Sequence, residues 1–325
     1  MLVAGVDGGA TSTKTVVLDV DSGGVWIGQS GPSNPINVGV VSAGTNIRQA
    51  LEDAVKRTGY KVSDIELIVA GLAGLDSRVV YRHLAPHIVA SSGLGGKLHL
   101  EHDAHIAWLH ATRGGEGVLV VAGTGSIAYS AYGGKRLIAG NRGWLLGDEG
   151  SGFWVARKAL RRLLRAFDGR ISHDCLTRSL KARLGVSDSD ELMYWFYLTR
   201  GRIESIAAVA RHVVDAAEED CDAAKELLQK GARLLAESAI VVAEKTSSRT
   251  VYIIGGMFNS RVFLEAFSRT VKAAGLQVRE TIVYAVLGAL YLALRRVGFR
   301  DKEAWQIVDS PNVIEAAKRL YTAWV

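Results

Sequence analysis

Apolar positions in this chain fall in short blocks separated by glycine- and hydroxyl-rich turns, and their spacing switches repeatedly between strand and helix. Residues 3–6 form a short apolar run, and 15–18 are β-branched and apolar again. Between them lies Asp7-Gly8-Gly9-Ala10-Thr11-Ser12-Thr13-Lys14, so the stretch reads as a hairpin with a small polar turn. Residues 118–122, the turn Gly123-Thr124-Gly125-Ser126 and the alternating run 127–132 repeat that pattern, which points to a duplicated architecture. Further strands are expected at 25–29, 66–70, 97–101 and 250–254. Helical stripes predict helices over 42–58, 104–111, 152–168, 223–245 and 281–298, and a last one toward the end of 301–325. Residues 172–245 are helix-rich throughout, and Gly288-Ala289 marks a close-packing spot on the 281–298 helix.

Three loops interrupt this order. Residues 31–39 hold two of the four prolines, with Asn34 and Asn37. Residues 71–77 form a glycine loop leading into a helix with His83. Residues 139–153 carry five glycines, Trp144 and the acidic pair Asp148-Glu149. A long loop of that composition is more often functional than decorative.

Composition narrows the classes. A chain of 325 residues, 48% hydrophobic and 22% charged, suits a globular protein of two domains. The net charge of +6 suits an anionic ligand without requiring nucleic acid. The basic face of the 152–168 helix (Arg157, Lys158, Arg161, Arg162, Arg165) lacks interleaved aromatics and reads as a solvated face, so no nucleic-acid partner is expected. The opening residues lack a basic segment followed by a long apolar one, and the longest uncharged apolar run, 282–294, is short of the ~20 residues that span a bilayer. No membrane partner is expected. Cys175 and Cys221 are far apart with no CxxC, which indicates no disulfide framework and fits a reducing cytoplasm.

The chemistry concentrates in the turns. Glycines let backbone approach a ligand, and successive N–H groups in a tight turn make an anion-binding nest. An Asp at the end of a buried strand beside such a nest suits Mg²⁺ held partly through water. Residues 3–18 therefore read as a phosphate-binding hairpin with Asp7 at the metal. They are not a Walker A loop, because G-x-x-x-x-G-K-[ST] is absent and a strand follows the turn. Asp103 ends a strand and opens a helix, the place where open α/β sheets bind ligands, although a helix N-cap is the competing reading. His99, His102 and His105 are spaced by three, with His110 beyond, but they divide between strand and helix, so no zinc site is expected. Gly255-Gly256 follow a strand and precede a helix, a place suited to ring, ribose or phosphate contact.

Taken together, GVDGGATSTKT (5–15), GPSNPINVG (31–39), AGLAGLD (70–76), HDAHIA (102–107), VAGTGSIA (121–128), GNRGWLLGDEGSGFWVARKAL (140–160) and IIGGMF (253–258) resemble the sugar kinase, heat-shock chaperone and actin superfamily. Within it the chain is similar to N-acetylglucosamine kinases and archaeal hexokinases, which share a sequence family with the BadF/BadG-type ATPases. The resemblance implies an α/β fold of two RNase H-like (actin-like ATPase) domains with a ligand cleft between them. It places the smaller domain at 1–106 plus about 297–325, and the larger, with a helical insertion, at 107–296. It implies ATP and Mg²⁺ as cofactors and phosphorylation of the 6-hydroxyl of N-acetylglucosamine or a related hexose. Asp103 matches the catalytic base and a sugar contact. Asn34, Gly74, Gly143, Trp144 and Asp148 match the other sugar positions. Gly9, Thr11, Ser12, Thr13 and Lys14 match the first phosphate hairpin, and Gly123, Thr124, Gly125 and Ser126 the second. Gly255, Gly256 and Asn259 match the adenosine turn, and Asp7 the metal position. A cytoplasmic homodimer acting on a small sugar is implied as well. Two features depart from the family pattern: Ala10 replaces a third Gly, and the Pro common before Gly288-Ala289 is missing. The alternative is an ATPase activating a partner enzyme through an iron–sulfur cluster, which needs thiolate ligands.

Overall fold

Leu2 through Val6 are buried and end at a polar turn that sends the chain straight back, so β1 (Leu2–Gly8) and β2 (Thr13–Asp19) pair antiparallel with Asp7 opposite Lys14. β3 (Val25–Ser30) continues the antiparallel side. β4 (Ile65–Leu72) and β5 (Leu98–His102) add in parallel on the other side of β1, giving the order β3-β2-β1-β4-β5. Parallel strands covered on both faces read as continuous apolar runs, which is why β1 and β4 are visible in the sequence. The helices α1 (Pro35–Val55), α2 (Arg78–Ser92) and α3 (Asp103–Thr112) fall between and after them. The structure is a computed structural model and describes residues 1–134, 136–199 and 202–322. The final three residues of the expected C-terminal helix lie outside it.

The chain divides into two compact units, Met1–Gly115 with Val283–Val325, and Glu116–Ile282. The first unit is completed by α12 (Ala285–Arg296), α13 (Asp301–Val308) and α14 (Pro311–Thr322). The reading of the sequence drew the boundaries at 106 and 297 and so gave α12 to the second domain; here α12 lies in the first unit. The reason is close packing. A Cβ on Gly288 would stand 1.9 Å from the Ile106 carbonyl oxygen of α3, and one on Gly5 of β1 would stand 2.5 Å from the Leu290 backbone nitrogen. Two bare glycines therefore seat α12 against α3 and β1.

The second unit repeats the first. β6 (Val118–Ala122), β7 (Ser126–Ser130) and β8 (Leu137–Gly140) are antiparallel in series, and β9 (Thr250–Ile254) and β10 (Gln277–Glu280) add in parallel beyond β6. The order β10-β9-β6-β7-β8 is the first sheet's order traced again from the same hairpin. Between β8 and β9 come α4 (Gly143–Leu146), α5 (Gly152–Phe167), α6 (Cys175–Leu184), α7 (Ser189–Tyr194), α8 (Ile203–Ala207), α9 (Ala210–Glu218) and α10 (Asp222–Thr246). α11 (Arg261–Ala273) follows β9. Within this helical region Cys175 and Cys221 form a disulfide, with Cα atoms 5.7 Å apart. The expectation of two unlinked thiols is therefore corrected. Cys175 begins α6 and Cys221 caps α10, so helix packing joins residues that 46 positions separate in sequence.

Candidate active site

In the first unit, three adjacent parallel strands end side by side. Asp7 pairs with Gly71 across β1 and β4, and Leu72 pairs with His102 across β4 and β5, so Asp103 lies two strands from Asp7 at the same edge. The turn between β1 and β2 is closed by Gly9 N–H donating to Ser12 O at 2.9 Å. The Gly9 carbonyl accepts from Ser33 and Asn34 N–H groups at 3.1 and 3.2 Å, which ties the 31–34 segment to the turn. Thr13 is fully buried and its hydroxyl donates to the Gly31 carbonyl at 2.7 Å, so this side chain braces the turn from inside. Thr11 is exposed, and Lys14 Nζ donates to Ser12 Oγ at 3.2 Å.

The expected loop 31–39 is shorter than its prolines indicate. Asn34 caps α1, its Oδ1 accepting from Ile36 N–H at 3.0 Å, and Pro35 opens the helix, a position that needs no N–H. Gly39 then interrupts the helix with φ of 78°. Gly74 packs on this cap with φ of +81°; a Cβ there would meet Asn34 Oδ1 at 2.4 Å. Asn34 and Gly74 are thus brought together.

Asp103 is the first residue of α3, and the cap position belongs to His102. The Asp103 carboxylate accepts from Ala104 N–H at 2.7 Å, lies 3.0 Å from His102 Nε2, and keeps 37% of its side-chain surface exposed. Asp7 is more enclosed. Burial raises its carboxyl above the usual range, and the charge of Asp103 adds to this; the Tyr321 hydroxyl bond and Lys14 pull it back. Tyr321, on α14, donates to Asp7 Oδ2 at 2.5 Å, and burial and Asp7 hold its hydroxyl well above the usual range, which keeps it the donor. The reading of the sequence passed over Tyr321. His105 stacks on Trp108, His110 tilts against Tyr284, and His102 meets Asp103. Among the described residues no group of three His, Cys, Asp or Glu side chains could hold a metal ion.

In the second unit, the turn 123–126 is closed by Gly123 N–H donating to Gly125 O at 2.9 Å. It is tied to α5 by Gly152 N–H donating to Gly123 O at 2.8 Å, and Ser126 Oγ donates to the Glu149 carbonyl at 2.8 Å. Asp148 is 8% exposed, has φ of 53°, and sets Oδ2 where a Cβ on Gly125 would be 3.0 Å away. Asp148, matched to the sugar, therefore lies against the 123–126 turn, matched to phosphate. Gly255 follows β9 beside the end of β6, and a Cβ there would stand 2.4 Å from the Ala122 carbonyl. The Gly255-Gly256 turn and the 123–126 turn are thus neighbours, with exposed Asn259 just beyond. Gly143 and Trp144 lie on the exposed α4, where Trp144 packs edge-on to Phe153 at 5.3 Å.

The geometry supplies polar turns at strand ends and two carboxylates at one sheet edge. A lone carboxylate such as Asp7, without a protein cage, fits Mg²⁺, which keeps several waters and takes its other ligands from nucleotide phosphates.

The BadF/BadG/BcrA/BcrD ATPase family pattern matches residues 4–293. An N-acetylmuramic acid/N-acetylglucosamine kinase of Clostridium acetobutylicum is 27% identical over 267 residues, covering 81% of this chain and 87% of its own. A glucosamine kinase of Vibrio cholerae is 30% identical over 197 residues, covering 59% and 64%. Among solved structures, a candidate N-acetylglucosamine kinase from Chromobacterium violaceum matches with a TM-score of 0.75 at 26% identity, over 90% of this chain and 98% of that one. A glucokinase of Streptomyces griseus shares the fold at 20% identity and a TM-score of 0.55, over 91% and 100% of the two chains.

Proposed function

Since the chain belongs to the BadF/BadG/BcrA/BcrD ATPase family, we propose that it transfers the terminal phosphoryl group of ATP to the 6-hydroxyl of N-acetylglucosamine or a related hexosamine or hexose. The observation that carries this reading is Asp103. It is a partly exposed carboxylate opening a helix at the same sheet edge as Asp7. An ATPase needs the phosphate turns; a sugar kinase needs, in addition, a carboxylate to receive the hydroxyl proton. The kinase names of the relatives support the acceptor class.

Phosphoryl transfer asks the protein chiefly for positioning and charge stabilisation. The backbone of the turns at 9–12 and 123–126 holds phosphate oxygens. Asp7 would hold Mg²⁺, which when bound supplies positive charge to the phosphates. Gly255, Gly256 and Asn259 hold the nucleoside. Asn34, Gly74, Gly143, Trp144 and Asp148 orient the sugar. Asp103 accepts the proton from the attacking hydroxyl at its carboxylate as the new P–O bond forms, and the β–γ bridging bond breaks to release ADP. A cytoplasmic homodimer accompanies this reading; light scattering tests the dimer. The partner-activating alternative lacks support here, because the two sulfurs it would need are joined to each other.

The test is Asp103→Asn. It is expected to fold and to bind Mg·ADP as the wild type does, while sugar-dependent ADP release falls by about 10²–10⁴. Wild-type turnover in this variant would remove Asp103 from the mechanism.

A further inference from the structure

Tyr321 lies in the last turn of α14, 314 positions from Asp7, and still places its hydroxyl on the one carboxylate of the first phosphate turn, 2.5 Å from Oδ2. The phenol is held from several sides. Its Oη accepts the Val286 N–H at 3.2 Å, in the first turn of α12, where helix N–H groups have no intrahelical partner. Its ring lies 5.4 Å from that of Tyr284, and Lys14 Nζ sits 4.8 Å from its centroid. The other end of α14 is tied down too: Asn312 Nδ2 donates to the Gly23 carbonyl at 2.8 Å, in the turn joining β2 to β3. The two anchors are about 13 Å apart along the helix.

Docking of α14 onto the sheet does not require the phenol oxygen, since the ring contacts and Asn312 provide it. What the oxygen adds is a short charge-assisted bond to a carboxylate, of the kind that orients a metal-binding group from behind. It takes one lone-pair site of Asp7 and fixes the carboxylate plane, leaving the remaining sites to a metal ion or its water.

Resting on the reading of Asp7 as the Mg²⁺ carboxylate, we propose that Tyr321 is a positioning residue that orients Asp7 for the Mg²⁺ of the bound nucleotide. The C-terminal helix is then part of the nucleotide site. The test is calorimetric binding of ADP with and without Mg²⁺ to the full chain, as wild type, Tyr321→Phe, Asp7→Asn and the double variant. The phenylalanine keeps the ring and removes only the hydroxyl. In Tyr321→Phe the gain in affinity that Mg²⁺ gives ADP is expected to fall about tenfold or more. Metal-free ADP binding should stay at the wild-type value, while the unfolding midpoint without ligand falls, because Asp7 loses its donor and Val286 N–H its acceptor. The double variant should bind Mg·ADP no worse than Asp7→Asn, because Tyr321 acts through Asp7. The inference is overturned if Tyr321→Phe keeps the Mg²⁺ gain within twofold, loses metal-free binding equally, or weakens the Asp7→Asn variant further. No sugar is present, so a failed sugar assay leaves this test standing. A wild type that gains nothing from Mg²⁺ would overturn the Asp7 assignment and this inference together.

Discussion

Asp7 and Asp103 end neighbouring parts of one sheet edge but live in different surroundings. Burial raises the Asp7 carboxyl, so the folded chain holds that proton more tightly than the unfolded chain does. Stability is then lost as pH rises through the window between the two values. Asp7→Asn removes the disfavoured charge and keeps an acceptor for Tyr321. It is expected to raise the unfolding midpoint of the unliganded protein at pH 7 while abolishing Mg²⁺-dependent turnover, and a lowered midpoint would contradict this. His110 works in the opposite pH window. It is 7% exposed, neither ring nitrogen has a hydrogen-bond partner among the described residues, and burial, helped by Arg113, lowers it from 6.5 to about 4. The unfolded chain binds the extra proton between those values, so stability falls as pH drops from 6.5 toward 4, by about 3 kcal/mol at most. Denaturant titrations at pH 7 and pH 4.5 should show the loss, and His110→Phe should reduce it. Asp7 and Asp103 are legible in the sequence because residue type and strand-end position coincide. Tyr321 is not, because nothing local marks a helical tyrosine that meets its partner only across the fold.

Elements were legible where burial writes a continuous pattern. β1, β4, β6 and β9 are apolar runs, and Gly288 announces the close approach that seats α12. Gly288→Ala sets a Cβ against the backbone of Ile106, which cannot yield as a side chain would. Its cost is expected to be 1–3 kcal/mol or more, read as a lowered denaturant midpoint. The missed strands, β8 and β10, have four residues each, lie at the sheet's two edges and hold no buried residue, so no apolar run of useful length betrays them. The Cys175–Cys221 link was illegible for the same physical reason as Tyr321: only packing of α6 and α10 brings the residues together. Closing a loop of that length stabilises by roughly 2–4 kcal/mol. Reduction should therefore lower the chemical-denaturation stability by about that amount, and unchanged stability under reductant would show the link to be idle. The disulfide joins the starts of α6 and α10, which carry none of the proposed ligand residues, so sugar-dependent turnover is expected to survive reduction.

At the scale of the whole chain, the duplicated hairpin seen in the sequence became two sheets of identical topology, each with its polar turn at the end of the first strand. The resemblance already returned 297–325 to the first domain; what it gave to the second was α12, which lies in the first unit. No helix among the described residues is long and apolar enough to cross a membrane. The central claim is sugar-dependent phosphoryl transfer, and the most direct measurement is coupled ADP release with Mg·ATP against N-acetylglucosamine, glucosamine, glucose, mannose and a no-sugar control. ADP release is expected with at least one amino sugar, to be near zero without sugar, and to be lost in Asp103→Asn. ADP release at the same rate with and without every sugar would contradict the kinase assignment and leave an ATPase whose Asp103 serves another purpose.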